Sequence, residues 1–282
     1  MIKKNTRAAL YLLALGGGKM TKIRHMKLLF LATRENGLYD FVPYKRGPFS
    51  FELYNDFRPL VQKGFVQSGD TEWTLESGWV FPKPDQGVQR IFTKIYNEYD
   101  DLSDEELIKF VYKKYQNYTV NSERKDKYVI SPSTDTGITT IGYEGKNLDA
   151  FIFQLIENHI DLLVDVRNNP FSMKYGFNKS QLMKVTQNFQ AESFVTKIEY
   201  VHIPQLGVES SKRQNLTKDG YNKLFAEYEI ALDNKTEYLN KIIELSKTHK
   251  IALMCFEADV NCCHRGIIAK RLIEMGCPVE NI

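Results

Sequence analysis

The chain has 282 residues, enough for two ordinary domains that each bury a core of their own. A hydrophobic share of 43% and a charged share of 26% are globular in balance, and no apolar run reaches the roughly 18 residues that a membrane span needs. The net charge of +3 is modest, yet twelve basic residues stand against four acidic ones through Lys63, so this stretch should attract polyanions, nucleic acid first among them.

The basic start Met1 to Thr6 leads into the apolar run Ala8 to Leu15 without a small-residue cleavage site, which reads as a core helix rather than a targeting segment. Four cysteines, three of them between Cys255 and Cys263, make a poor disulfide framework and point to a reducing compartment, the cytoplasm. Helical spacing predicts helices over 10–15 and 26–33, parted by Gly16-Gly17-Gly18, with Thr21 capping the second. A third helix follows the Gly47-Pro48 breaker. It is marked by Phe51, Leu53, Tyr54, Phe57 and Leu60, capped by Ser50 and ended by Gly64. Phe65-Val66 and Trp73-Thr74-Leu75, around Gly69-Asp70, predict a β-hairpin, and helices followed by a hairpin describe a winged helix. Ser103-Asp-Glu-Glu106 is a capping box for a helix over 107–115. In this mainly helical, winged-helix-like region, Lys22, Arg24, Lys27, Lys45 and Arg46 are the residues expected to meet nucleic acid, taken as double-stranded DNA.

Lys27-Leu-Leu-Phe30, the run from Phe41 through Pro-Tyr-Lys-Arg-Gly-Pro to Ser50, Leu53-Tyr54, and Glu106-Leu-Ile108 with Val111-Tyr-Lys-Lys-Tyr115 together resemble the Panacea or SocA-like antitoxin module, domain of unknown function 4065, over about residues 7–121. The resemblance implies a winged-helix-related module for contact with DNA or protein, and no chemistry. The polar stretch 121–136, with Ser131-Pro132-Ser133, reads as a linker between domains 1–120 and 137–282.

Beyond it, strands over 137–142, 161–166, 198–203 and 251–256 alternate with helices over 148–159, 180–190, 221–232, 236–248 and 266–275. That order predicts an α/β domain with a largely parallel sheet and flanking helices, whose ligands bind beyond the carboxyl ends of the strands. Three of those ends are polar, so residues far apart in sequence converge there. Asp165, Glu257, Arg167 and Arg265 are expected as a pocket of carboxylates and guanidinium groups suited to an anionic substrate. Cys263 and His264 stand at a helix start that favours a thiolate or a phosphate, while Cys255 belongs to the core. Gly142, Tyr143, Phe171, Asn178, His202 and Arg213 complete the set as substrate-binding residues. Cys255, Cys262, Cys263, His264 and His202 hold enough sulfur and nitrogen for zinc, but there is no paired Cys-x-x-Cys spacing and neighbours Cys262 and Cys263 point apart. Neither metal nor cofactor is expected.

Thr140-Ile-Gly-Tyr-Glu144, Leu162-Leu-Val-Asp165 with Val-Arg-Asn-Asn-Pro-Phe-Ser172, Phe177-Asn178, Tyr200-Val-His202 with Ile-Pro-Gln-Leu-Gly207, Leu253-Met-Cys-Phe-Glu257 and Cys263-His-Arg265 resemble domain of unknown function 488 over about residues 139–272. The resemblance implies that Gly142, Asp165, Arg167, Pro170, Asn178, His202, Gly207, Cys255, Glu257, Cys263, His264 and Arg265 are its motif positions. Glu144 departs from it, since many relatives carry a small polar residue there.

A basic contact module joined to an anion-suited pocket predicts a DNA-acting enzyme, a glycosylase-type hydrolase that excises a modified base, with phage defence as its setting. Its carboxylates would stabilise an oxocarbenium-like transition state or activate water, and Tyr143, Phe171 and Tyr175 would stack on an extruded base. Two alternatives stay open. One is a rhodanese- or cysteine-phosphatase-like enzyme, although Cys255 and Arg265 are ten positions apart, too far for a phosphatase loop. The other is a non-catalytic DNA-binding regulator or antitoxin with a nucleotide-sensing domain.

Overall fold

The computed structural model describes residues 2–34, 36–129, 133–189, 194, 197–213 and 218–282, leaving out the side chains of Arg213 and Lys218. The chain divides into two units, Met1–Ile130 and Ser131–Ile282.

In the first unit, α1 (Lys4–Leu15) buries Ala8, Ala9, Leu10, Leu12 and Leu13, so neighbours cover it on more than one side. Gly17 and Gly18, both at positive φ, turn the chain into β1 (Lys19–Thr21). Thr21 accepts the Arg24 N–H and starts α2 (Lys22–Thr33), which is buried from His25 onward. β2 (Val42–Tyr44) and β3 (Gly47–Phe49) form a short hairpin, and Ser50 caps α3 (Phe51–Gln62). β4 (Val66–Ser68) and β5 (Glu72–Leu75) are the predicted hairpin. β1 joins it to give a three-stranded antiparallel sheet in the order β1-β5-β4. α4 (Gln86–Tyr99) and α5 (Asp104–Lys114), the latter opened by the Ser103–Glu106 capping box, close the core against α1 and α2.

Residues 121–129, expected as linker, fold onto this unit. Asn121 and Ser122 are buried: Asn121 donates to the Pro43 carbonyl at 3.2 Å, and the Ser122 hydroxyl donates to the Lys45 carbonyl at 3.1 Å. Arg124 pairs with Glu105 at 2.7 Å and Asp126 at 2.9 Å. The polar side chains that suggest a linker by composition instead satisfy backbone groups around the β2–β3 hairpin.

The second unit runs β6 (Gly137–Gly142), α6 (Leu148–Glu157), β7 (Leu162–Asp165), α7 (Lys179–Gln187), β8 (Glu199–His202), α8 (Lys218–Ala231), α9 (Thr236–Ser246), β9 (Lys250–Cys255), α10 (His264–Glu274) and β10 (Val279–Asn281). Its five strands are all parallel, in the order β10-β6-β9-β7-β8. Connections after β6 and β7 cross the sheet in one direction and those after β8 and β9 in the other. Right-handed crossovers therefore put α6 and α7 on one face and α8, α9 and α10 on the opposite face. Ile251 and Leu253 of β9 share a core with Leu224, Leu239, Ile268 and Leu272, which sets β9's odd-numbered side chains, Cys255 included, toward α8–α10. On β7, Leu162 lies opposite Ile251 and Asp165 opposite Met254, so Leu162 and Val164 face the same core while Asp165 faces α6 and α7. Among the described residues, no helix is long and apolar enough to cross a membrane.

Candidate functional site

The carboxyl edge of the parallel sheet brings the predicted residues together, but in two groups, because the strand period sends them to opposite faces. On the α6–α7 side stand Asp165 and Arg167, which are 0% and 4% exposed. Arg167 grips the carboxylate with two prongs, Nε to Oδ1 at 2.8 Å and Nη2 to Oδ2 at 2.6 Å, and its backbone N–H donates to Oδ1 as well. Tyr200 donates its hydroxyl to Oδ2 at 2.8 Å, so four donors occupy the two oxygens. The guanidinium also donates to the Tyr143 hydroxyl and the Phe177 carbonyl. Burial acts to lower the Arg167 pKa, but the hydrogen bonds to Asp165 outweigh it and hold the group charged. Burial, followed by the Asp165 charge, pushes the Tyr200 hydroxyl up. Tyr143 is buried, stacked on Phe177 with ring centroids 4.2 Å apart. This corner is saturated, with no lone pair of Asp165 left for a substrate proton. It does not join Glu257 and Arg265 in one carboxylate and guanidinium pocket, because the register of β7 on β9 sets the two groups on different faces.

On the α8–α10 side, Cys255, Cys263 and His264 converge, all at most 3% exposed, with Glu257 half-buried beside them. The Cys255 thiol donates to Glu257 Oε2 at 3.2 Å. His264 Nδ1 lies 3.6 Å from Cys255 Sγ and 3.9 Å from Cys263 Sγ, while its Nε2 is 3.1 Å from the Val166 carbonyl. A carbonyl only accepts, so Nε2 carries a proton and Nδ1 is the atom turned to the sulfurs. The Tyr228 ring meets the imidazole edge-on at 5.7 Å. α10 starts at His264, two residues earlier than its spacing predicts, and this makes Cys263 the N-cap and buries His264 and Arg265 in the first turn. Burial would raise the Cys263 thiol, but its contacts with Cys255 and then His264 bring it well below the range of a free thiol. Cys255 moves up, through its bond to Cys263 and then burial, and Glu257 moves up through burial and then the Cys263 charge.

Arg265, 0% exposed, donates to the carbonyls of Glu257 and Ala258 and so fixes the loop after β9. Gly142 faces the same loop: a Cβ there would fall 1.9 Å from the Glu257 carbonyl oxygen, so this motif glycine seats Glu257. Gly207 likewise admits the Asn168 backbone, at 1.9 Å from where its Cβ would be. Glu144, the departure from the motif, is exposed and accepts the Ala258 N–H at 2.9 Å, clipping the loop after β6 to the loop after β9.

The remaining predicted residues divide. His202 bonds the Arg167 carbonyl through Nε2 at 2.8 Å, and Asn178 accepts the Ser172 N–H at 2.6 Å, so both hold the loop after β7. Phe171 is 65% exposed at this edge, as are Met173 at 91% and Phe256 at 42%. The Arg213 side chain lies outside the described residues. Sequence reading passed over Tyr200 as an Asp165 partner and three lysines at the edge. Lys146 bonds the Gly142 carbonyl, Lys174 the Tyr143 carbonyl, and Lys179 lies 3.4 Å from His202 Nδ1. Their signal was position alone, since each lies within a few residues of a strand end or a loop that follows one.

In the N-terminal unit, three of the five residues expected to meet DNA are engaged internally. Lys22 bonds the Gly69 carbonyl and lies over the Trp73 ring. Arg24 donates to the carbonyls of Leu102, Tyr99 and Asp100. Lys27, 2% exposed, donates to the carbonyls of Arg46 and Pro48, and burial lowers its amine to about 7. Lys45 and Arg46 are exposed on the β2–β3 turn, with Lys45 3.3 Å from Glu123.

The fold and edge define a doubly wound parallel α/β unit with a buried thiol–imidazole cluster and a carboxylate at its rim. Residues 147–272 match the family described as Domain of unknown function DUF488, so the second unit carries a DUF488 domain spanning α6 to α10. No curated protein and no solved structure matches the chain.

Proposed function

We propose that the protein is a hydrolase acting on nucleic acid, and that its C-terminal unit excises a modified base from DNA at the carboxyl edge of the parallel sheet. The observation that carries this reading is the setting of Glu257. Its side chain is half-buried and accepts from a thiol rather than from a guanidinium, and it directly follows the exposed ring of Phe256. A carboxylate so placed can take a proton from water as the water oxygen bonds to the sugar C1′ and the C1′–N bond breaks, the base leaving with that proton. Phe171 and Phe256 offer faces for a base outside the stack, and the exposed Lys179 at the start of α7 supplies positive charge for a phosphate. Asp165 and Arg167 support the loops and take no part in proton transfer.

For the N-terminal unit, the resemblance to the Panacea or SocA-like module is the reason to assign it contact with DNA or a protein partner. Lys45 and Arg46 carry that role, given the internal duties of Lys22, Arg24 and Lys27. Incubation of the full chain with unmodified and base-modified DNA, followed by mass spectrometry of the small-molecule fraction, tests the reading. A released base that disappears with Glu257→Gln is expected, and DNA that is bound but never loses a base would end it.

Cysteine chemistry is favoured by one observation, the seat of Cys263 at the N-cap of α10 beside His264. Activity lost in Cys263→Ser and kept in Glu257→Gln, on any substrate, would replace the first reading with this one.

A further inference from the structure

The expectation that this cluster holds no metal rested on two features of sequence: no paired Cys-x-x-Cys spacing, and Cys262 and Cys263 side chains that point apart. The structure separates those neighbours. Cys262 is exposed and lies 3.5 Å from an Asp259 oxygen, outside the cluster. Cys263 turns inward, and the ligand atoms of Cys255, Cys263 and His264 all lie within 4.8 Å of one another. Adjacent cysteines therefore need not both be ligands, and the third donor comes from a strand rather than a knuckle.

We infer that Cys255, Cys263 and His264 form a binding site for a zinc-class divalent ion, with Glu257 beside its fourth position. Three observations carry this. The first is distance. Zinc bonds of about 2.3 Å to sulfur and about 2.0 Å to nitrogen, at tetrahedral angles, separate sulfur from nitrogen by about 3.5 Å. The two sulfur–nitrogen distances here are 3.6 and 3.9 Å, within a few tenths of an ångström of that value, and all three donor atoms lie within 4.8 Å of one another.

The second is the orientation of His264. Its Nε2–H points at the Val166 carbonyl, which is the outer hydrogen bond that metal-bound histidines make, and it leaves Nδ1 aimed between the two thiols. Val166 sits between Asp165 and Arg167, whose four-donor lock holds that carbonyl in place. The saturated corner thus acts on the other face as the support of a ligand. The third is the donor set itself, two thiols and one imidazole, which selects zinc over magnesium or calcium. Glu257 Oε2, 3.2 Å from Cys255 Sγ, is placed either to complete the coordination or to face a water in that position. The metal site rests on this geometry alone. Its use in base excision rests on the reading above.

The full chain, purified without chelator or immobilised metal, should carry about one zinc ion by elemental analysis, in keeping with a single three-donor site. Exchange with cobalt(II) should give the intense near-ultraviolet thiolate-to-cobalt band and tetrahedral visible bands. Both should vanish in Cys263→Ser and in His264→Gln, with the circular dichroism spectrum preserved, and persist in Cys262→Ser. Protein that takes up neither ion, a cobalt spectrum unchanged in Cys263→Ser, or non-reducing mass spectrometry showing Cys255 and Cys263 joined as a disulfide would each overturn the site. The two proposals fail separately. Stoichiometric metal without base release sinks the excision reading only, and base release undiminished in chelator-stripped, metal-free protein sinks the metal's part in it.

Discussion

The two corners of the carboxyl edge each hold a carboxylate yet differ in how their hydrogen-bonding capacity is used. Asp165 has four donors on two oxygens, and Arg167 spends its guanidinium on that carboxylate, a tyrosine and a carbonyl. Across the sheet, Cys255, Cys263, His264 and Glu257 contact one another at 3.2 to 3.9 Å, with few other donors between them. A buried ionic group that is fully satisfied supports the fold, because any substrate would have to outcompete the protein's own donors. A cluster of nucleophilic and acid–base groups with capacity left over is where a substrate or an ion gains most. Strong charge at a strand end is thus a poor marker of chemistry until its partners are counted.

The comparison breaks most visibly at Asp165. Asp165→Ala leaves Arg167 buried without its counter-charge and should cost about 3–5 kcal/mol, whereas Glu257→Gln should stay within about 1 kcal/mol of wild type. Urea denaturation of the three proteins checks this, and equal losses at both positions would erase the distinction. The N-terminal unit extends the same logic to an unsatisfied base. His25, fully buried, donates Nε2–H to the Ala9 carbonyl and has no partner at Nδ1 among the described residues, and burial lowers it to about 4. Between that value and 6.5 the unfolded chain binds more protons than the folded one. The His25 contribution to stability is therefore fully present above about 6.5 and falls away by roughly 3 kcal/mol as the pH drops to about 4. Chemical denaturation from pH 7 to 4 should show this limb, and His25→Leu should flatten it.

A smaller effect sharpens the contrast within the saturated corner. Tyr200→Phe removes one donor of four and should cost roughly 1.5–3 kcal/mol, the range for a hydrogen bond to a charged group, without changing metal uptake. Smallest of all is Phe256→Ala. Its ring is 42% exposed, so thermal stability should move by no more than about 0.5 kcal/mol, while binding to single-stranded oligonucleotide should weaken by about 1–3 kcal/mol if the ring stacks on a base. A titration that shows unchanged affinity would remove Phe256 from the substrate path.

Much of this layout was legible in the residues. Thr21, Ser50 and Ser103 mark helix starts because short polar side chains satisfy orphan N–H groups, and each caps as read. Four of the five strands of the parallel sheet stand out as β-branched or apolar runs. β1, β2, β3 and β10 did not, since three-residue strands show no period, and β1 and β10 also pair with partners far along the chain. α4 lay in a stretch to which no element was assigned. For the site, the converging strand ends were legible and the faces were not. Knowing that Asp165 and Cys255 point apart requires the register that sets Asp165 opposite Met254, and no single strand's sequence contains it. Lys22, Arg24 and Lys27 show the same gap: a count of charges registers a basic surface, while carbonyl acceptors inside the unit decide whether the cations reach it.

The proposed division puts chemistry on the Glu257 side of the sheet and structure on the Asp165 side. Its most direct test is the rate of base release from modified DNA by wild type and by folded Glu257→Gln. A drop of about 10²–10⁴-fold, the usual contribution of a proton-transfer group, is predicted. Release at an unchanged rate in Glu257→Gln would contradict it.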